Sequence, residues 1–138
     1  MSVIVTDRGF GPDHWRGGFK RPEEPGAGPG IAVALDLGPD TDPETLRDRL
    51  DDVVLIRVRF PGFADGRGFT IARALRRMGF AGRLRAAGHV IADQYAMARR
   101  SGFDEVEIDA DLAARQPEPQ WRARADWRAG DYRARLRG

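Results

Sequence analysis

The side chains best suited to chemistry lie between Phe63 and Gly102, in FADGRGFTIARALRRMGFAGRLRAAGHVIADQYAMARRSG. Asp65 and Arg67 flank Gly66 in a DGRG turn, and Gly66 with Gly68 lets backbone amides crowd at a helix start, where anions are favoured. Arg85 alternates with Leu84 and Ala86, so it occupies one face of a strand. Once buried it needs an acid, and Asp65 and Asp93 are the candidates by topology. His89 follows that strand and could give or take a proton. Gln94 falls on the face made by Val90, Ile91, Met97 and Ala98; buried there, it must find hydrogen-bond partners, and a neighbouring loop's backbone is the natural one. These residues form a candidate binding site for an anion or a partner. Each also has a plainer reading: Asp65 as a helix cap, Arg67 paired with Asp93, His89 as a structural loop residue and Gln94 as a lock.

No catalytic residue is assigned. The two histidines, His14 and His89, are far apart, and neither HExxH nor GxSxG occurs. The DGRG turn is not a Walker loop, because no GK[ST] occurs, and no strand–helix turn carries GxGxxG. Arginines beside Asp65 and Asp93 would keep both ionised, which does not suit a general acid. With no cysteine, the chain can form neither disulfides nor cysteine-ligated zinc or iron–sulfur sites. No metal and no cofactor of its own is expected.

Composition narrows the classes further. A chain of 138 residues suits one domain. No run of about 18 apolar residues exists, so no membrane span is expected. MSVIVTDRG lacks the marks of a secretion signal, so a cytoplasmic location is expected. Net charge is only +2, which gives no global attraction to nucleic acid. Lys20 is the only lysine, and the wealth of arginine is in keeping with a GC-rich genome.

Positioning these residues falls to three segments. Residues 1–30 form a Gly/Pro-rich N-terminal arm with a short strand at Val3 to Val5 and a loop or linker, PEEPGAGPG, at 22–30. Residues 31–114 read as an α/β domain. Ile31 to Leu37 suits a buried strand, and Asp42 with Pro43 opens a helix bearing Leu46 and Leu50. VVLIRVRF at 53–60 reads as a strand covered on both sides. Ile71, Ala72, Leu75 and Met78 make a helical stripe, with Arg73, Arg76 and Arg77 on a solvated face and Gly79 at its end. A strand at Arg83 to Ala87, a helix ended by Gly102, a strand at Val106 to Ile108 and a last turn capped by Asp109 or Asp111 complete the domain. About four βα units predict a parallel sheet, either a flavodoxin-like open sheet or half a TIM-like barrel. A half-barrel would leave sheet edges and apolar surface uncovered, and a homodimer is the expected state. Residues 115–138 form a basic aromatic C-terminal tail with Trp121, Trp127 and Tyr132 among seven arginines and three acids. Nucleic acid is disfavoured as its partner: Asp126 and Asp131 break up the basic run, and docking of the aromatics on the chain itself or a second subunit is preferred over base stacking.

Phe60-Pro61, Phe63, DGRGF at 65–69, Ala72-Arg73, Leu75-Arg76, Gly82, LRAAG at 84–88, Asp93-Gln94 and RSGF at 100–103 together resemble a bacterial domain-of-unknown-function family, nine-three-four. The resemblance implies a role in assimilatory sulfate or sulfite reduction. It implies an accessory protein that binds a partner reductase, such as sulfite reductase or another sulfate-assimilation enzyme, and an oxyanion. The alternative it carries is a small oxidoreductase whose cofactor a partner supplies. Four departures stand out: Ser101 replaces the pattern's cysteine, His89 its aspartate, Thr70 its serine and Gly62 its lysine. A thiol mechanism therefore does not carry over.

Overall fold

Among the described residues six strands form one mixed sheet in the order β2-β1-β6-β5-β4-β3. The computed structural model describes residues 2–25 and 31–128. The strands are β1 (Ser2–Thr6), β2 (Gly9–Gly11), β3 (Val33–Leu37), β4 (Val53–Phe60), β5 (Arg83–Gly88) and β6 (Glu105–Asp109). Between them run a 3-10 helix (Pro43–Asp52), α1 (Arg67–Arg77) and, after a 3-10 turn at Ala92–Gln94, α2 (Tyr95–Ser101). Helices α3 (Ala110–Arg115) and α4 (Glu118–Arg122) follow β6. Asp42 caps the first helical segment by accepting from the Glu44 amide, and Asp109 caps α3 by accepting from the Leu112 amide.

The expected parallel sheet, flavodoxin-like or half-barrel, is overturned. β3 to β6 do pair in parallel and in chain order, but β1 joins β6 antiparallel and β2 continues antiparallel from β1. The physical cause is Val5. It is fully buried opposite Val106, so the N-terminal strand closes the β6 edge that a further βα unit would otherwise have to cover. Consecutive winding also leaves no topological switch point. The helical side chains Leu46, Phe69, Leu75, Tyr95, Ala98, Leu112 and Trp121 pack with Leu35, Ile56, Val58, Leu84, Ala86 and Val106 in one core, on one face of the sheet.

The other face is largely polar, so the second side of β4, read as covered, is covered by the N-terminal arm and not by an apolar layer. Asp36, Arg57, Arg85 and Glu105 stand in register across four strands. Residues 13–20 of the N-terminal arm cross this face and end in a parallel bridge from Lys20 to Leu35 on the outer strand. Two smaller expectations also change. Arg76 is not on a solvated face: it donates to the carbonyls of Gly102, Phe80 and Gly82 and to Asp104. Met97 is exposed, because the 3-10 turn before α2 alters the phase of the helical face.

The tail folds back on the chain as far as residue 128. Trp121 is buried edge-on to Tyr95 and donates to the Gln116 carbonyl. Trp127 lies 4.7 Å from the Arg99 guanidinium and donates to Asp7. Tyr132, Asp131 and the glycine-rich end of the 22–30 loop lie outside the described residues. Among the described residues no helix is long and apolar enough to cross a membrane.

Candidate functional site

Two loops meet at the carboxyl ends of β4 and β5. Gln94 makes the junction: its Nε2 donates to the Phe63 carbonyl at 2.5 Å, and its Oε1 accepts from the Ile91 amide at 3.1 Å. Gly88 makes the close approach of the strands feasible. It sits at φ 107°, and a Cβ there would lie 2.7 Å from the Phe60 carbonyl oxygen. The His89 amide then donates to that same carbonyl at 3.0 Å.

The DGRG turn is filled from within. Asp65 Oδ1 accepts from the Arg67 amide at 3.1 Å, and the Arg67 guanidinium donates to both Asp65 oxygens. Asp40, an exposed acid after β3, also pairs with Arg67. A carboxylate thus already sits where an anion would meet the start of α1, and two acids face one arginine. The hydrogen bonds from Arg67 hold the Asp65 carboxyl down to about 2. Gly66 is open, with nothing near its would-be Cβ, whereas Gly68 is a packing position: a Cβ there would come within 2.4 Å of the Phe60 ring.

The remaining residues of the expected site separate. Asp93 pairs with Arg124 from the tail, not with Arg67. Arg85 is 0% exposed in mid-sheet, on the polar face. Its acids are neither Asp65 nor Asp93: it donates to Glu105 at 2.6 Å, to Glu107 at 2.7 Å and to both oxygens of Asp13 at 3.1 Å. Burial opposes its charge, but the bonds to Asp13 and Glu105 outweigh burial and raise its pKa. Asp36 behaves inversely: burial would raise its carboxyl, but hydrogen bonds from Arg59 and Arg57 bring it below the usual range. Asp13, Asp36, Glu105 and Glu107 were missed in the sequence. For the strand acids Glu105 and Glu107 the signal was alternation, with Arg57 and Arg59, Arg83 and Arg85, Glu105 and Glu107 each recurring at every second position of a strand; no local pattern marked Asp13.

Open space surrounds the rim. One cleft of about 610 Å3 lies among Phe63, His89, Ile91, Asp109, Leu112 and Arg115. A second of about 460 Å3 runs onto the polar face past Arg57, Arg59, Pro61 and Ala87. His89, Gly88 and Glu107 line both. At the mouth of the first, the Phe63 side chain is 62% exposed although Gln94 holds its carbonyl. Among the described residues no group of three or more His, Cys, Asp or Glu side chains is placed to hold a metal ion.

The family model described as bacterial protein of unknown function, DUF934, matches residues 33–134. No curated protein matches the chain. The chain belongs to the DUF934 family, whose model covers β3 to β6, both rim loops and most of the tail.

Proposed function

We propose that this protein is a docking subunit, and that the rim carrying Phe63 and His89 is the surface it offers to a partner. The observation behind the reading is Phe63. Its backbone is tied down by Gln94 while its ring faces solvent beside a cleft of mixed polarity. An aromatic presented on a fixed backbone loses little entropy on binding, and such anchors dominate interface energy. The clefts carry acids and bases together, Glu107 and Asp109 beside His89, Arg59 and Arg115, which suits a protein surface better than one small anion.

The partner class follows from the motif resemblance: an enzyme of assimilatory sulfate or sulfite reduction, with sulfite reductase foremost. The test is a pull-down with tagged protein from cells growing on sulfate, using wild type and Phe63→Ala. Wild type should capture a sulfur-assimilation enzyme, and the variant at least tenfold less, about the 1.4 kcal/mol that a modest anchor contributes. Capture of such an enzyme equally by both proteins would remove the rim from the reading. Capture of none would remove the partner class.

A further inference from the structure

The polar face of the sheet holds four arginines, Arg57, Arg59, Arg83 and Arg85, against three carboxylates of its own strands, Asp36, Glu105 and Glu107. Within this ion-paired set the arginines outnumber the strands' own carboxylates by one, since Asp109, the next residue on this face of β6, caps α3 instead. The balancing charge comes from outside the sheet, from Asp13 on the arm. Its two oxygens face the two terminal nitrogens of Arg85 at 3.1 Å each, the forked geometry that guanidinium offers a planar anion. Six residues on, the Phe19 ring lies 3.9 Å from the Arg57 guanidinium. Arg57 and Arg85 are direct cross-strand neighbours, a like-charge pair that Glu107 bridges, and Asp13 adds a second anion on the Arg85 side.

The arm between these anchors is self-contained. Asp13 accepts from the Trp15 amide, the Trp15 indole donates to the Gly18 carbonyl at 2.7 Å, and Arg16 donates to the Asp13 carbonyl. His14, Arg16, Gly17 and Gly18 are exposed. Such a loop can leave the sheet with its own bonds intact.

We propose that Arg85 forms a binding site for a carboxylate or similar planar oxyanion, that Asp13 fills it as an internal ligand, and that residues 13–19, seated at their far end by Phe19 on Arg57, are a strap which a competing carboxylate lifts. The proposal is independent of the docking role of the rim. The carboxylate is either a free small molecule or a side chain on a protein segment resembling the arm.

The experiment uses the full chain, as wild type and as Asp13→Asn, with two probes: sodium acetate, and a synthetic peptide copying residues 12–20, PDHWRGGFK. Sodium chloride at equal ionic strength is the control. For Asp13→Asn, at least one probe should raise the melting temperature saturably by about 3–5 °C over chloride. In wild type, the same probe should speed tryptic cleavage after Arg16 several-fold, read by mass spectrometry as a new terminus at Gly17. A response to acetate marks a free carboxylate as sufficient; a response to the peptide alone marks a protein segment. If neither probe differs from chloride in either readout, the proposal is wrong. Should Asp13→Asn fail to fold, the wild-type cleavage rate decides alone.

Discussion

Replacing Gln94 with leucine removes the one side chain that, among the described residues, hydrogen-bonds across the two rim loops. Two hydrogen bonds go: Nε2 to the Phe63 carbonyl and the Ile91 amide to Oε1. Each is worth about 0.5–1.5 kcal/mol net. The Phe63 end is solvent-exposed, so water replaces much of that bond, whereas the half-buried Ile91 amide has less access to it. The expected loss is about 1–2 kcal/mol. A 138-residue domain has an unfolding entropy of about 290 cal/mol/K, so the melting temperature should fall by about 3–7 °C. Freeing the Phe63 backbone adds about 1 kcal/mol of ordering entropy to docking, which weakens partner affinity about fivefold. Calorimetry reads the first effect and titration with the captured partner the second. Amide exchange at Ile91, which Gln94 alone protects among the described residues, should quicken. A melting temperature within about 1 °C of wild type, together with unchanged exchange at Ile91, would refute the claim that Gln94 holds the rim together.

Gly68→Ala should destabilise the fold by about 1–2 kcal/mol even though alanine favours helix, because its methyl would strike the Phe60 ring, which Phe69 and Phe103 hem in at 5.0 and 5.9 Å. Gly66→Ala, into open space, should be close to neutral, and equal melting temperatures for the two variants would contradict the packing account. Acid should unfold the protein through carboxylates on the polar face. Asp36 and Asp13 have folded pKa values below their unfolded ones, so their stabilising effect is complete above about pH 4 and fades as pH falls further. The melting temperature should therefore hold between pH 7 and 5 and drop below about pH 4, less steeply in Asp36→Asn; a variant with the wild-type slope would show that Asp36 is not responsible.

The interior strands and α1 were legible because their apolar patterns answer to one local question, which face is buried. β4 was placed at its observed ends from VVLIRVRF, and β5 within a residue from RLRAA. The direction of the sheet's far edge was not legible. It depends on Val5 meeting Val106, a pairing across a hundred residues that no local period encodes. The site divides in the same way. That loops after β4 and β5 share a rim follows from parallel pairing, and Gln94 does bridge them. Which acid meets which arginine does not follow, since Asp13 reaches Arg85 only because the arm crosses the sheet. The arginines at alternate positions of β4 and β5 were the available clue. They are incompatible with a strand buried in hydrocarbon on both faces.

Ser101 bears on what kind of protein this fold can be. The motif pattern the chain resembles has cysteine there, which invites a thiol mechanism and makes serine look like a loss. The geometry argues otherwise. Ser101 closes α2, the helix that leads from the carboxyl end of β5 to the amino end of β6, so it lies at the end of the sheet away from His89. It is 2% exposed, and its hydroxyl donates to the Met97 carbonyl one turn back, the usual accommodation of a small polar side chain inside a helix. A thiol in that place would be a small buried side chain without access to a substrate at the rim, the setting in which cysteine acts as a packing residue. Serine fills the same volume and satisfies its own hydroxyl. Either residue would therefore serve helix packing at this position, and a docking role for the rim is indifferent to which of them is present.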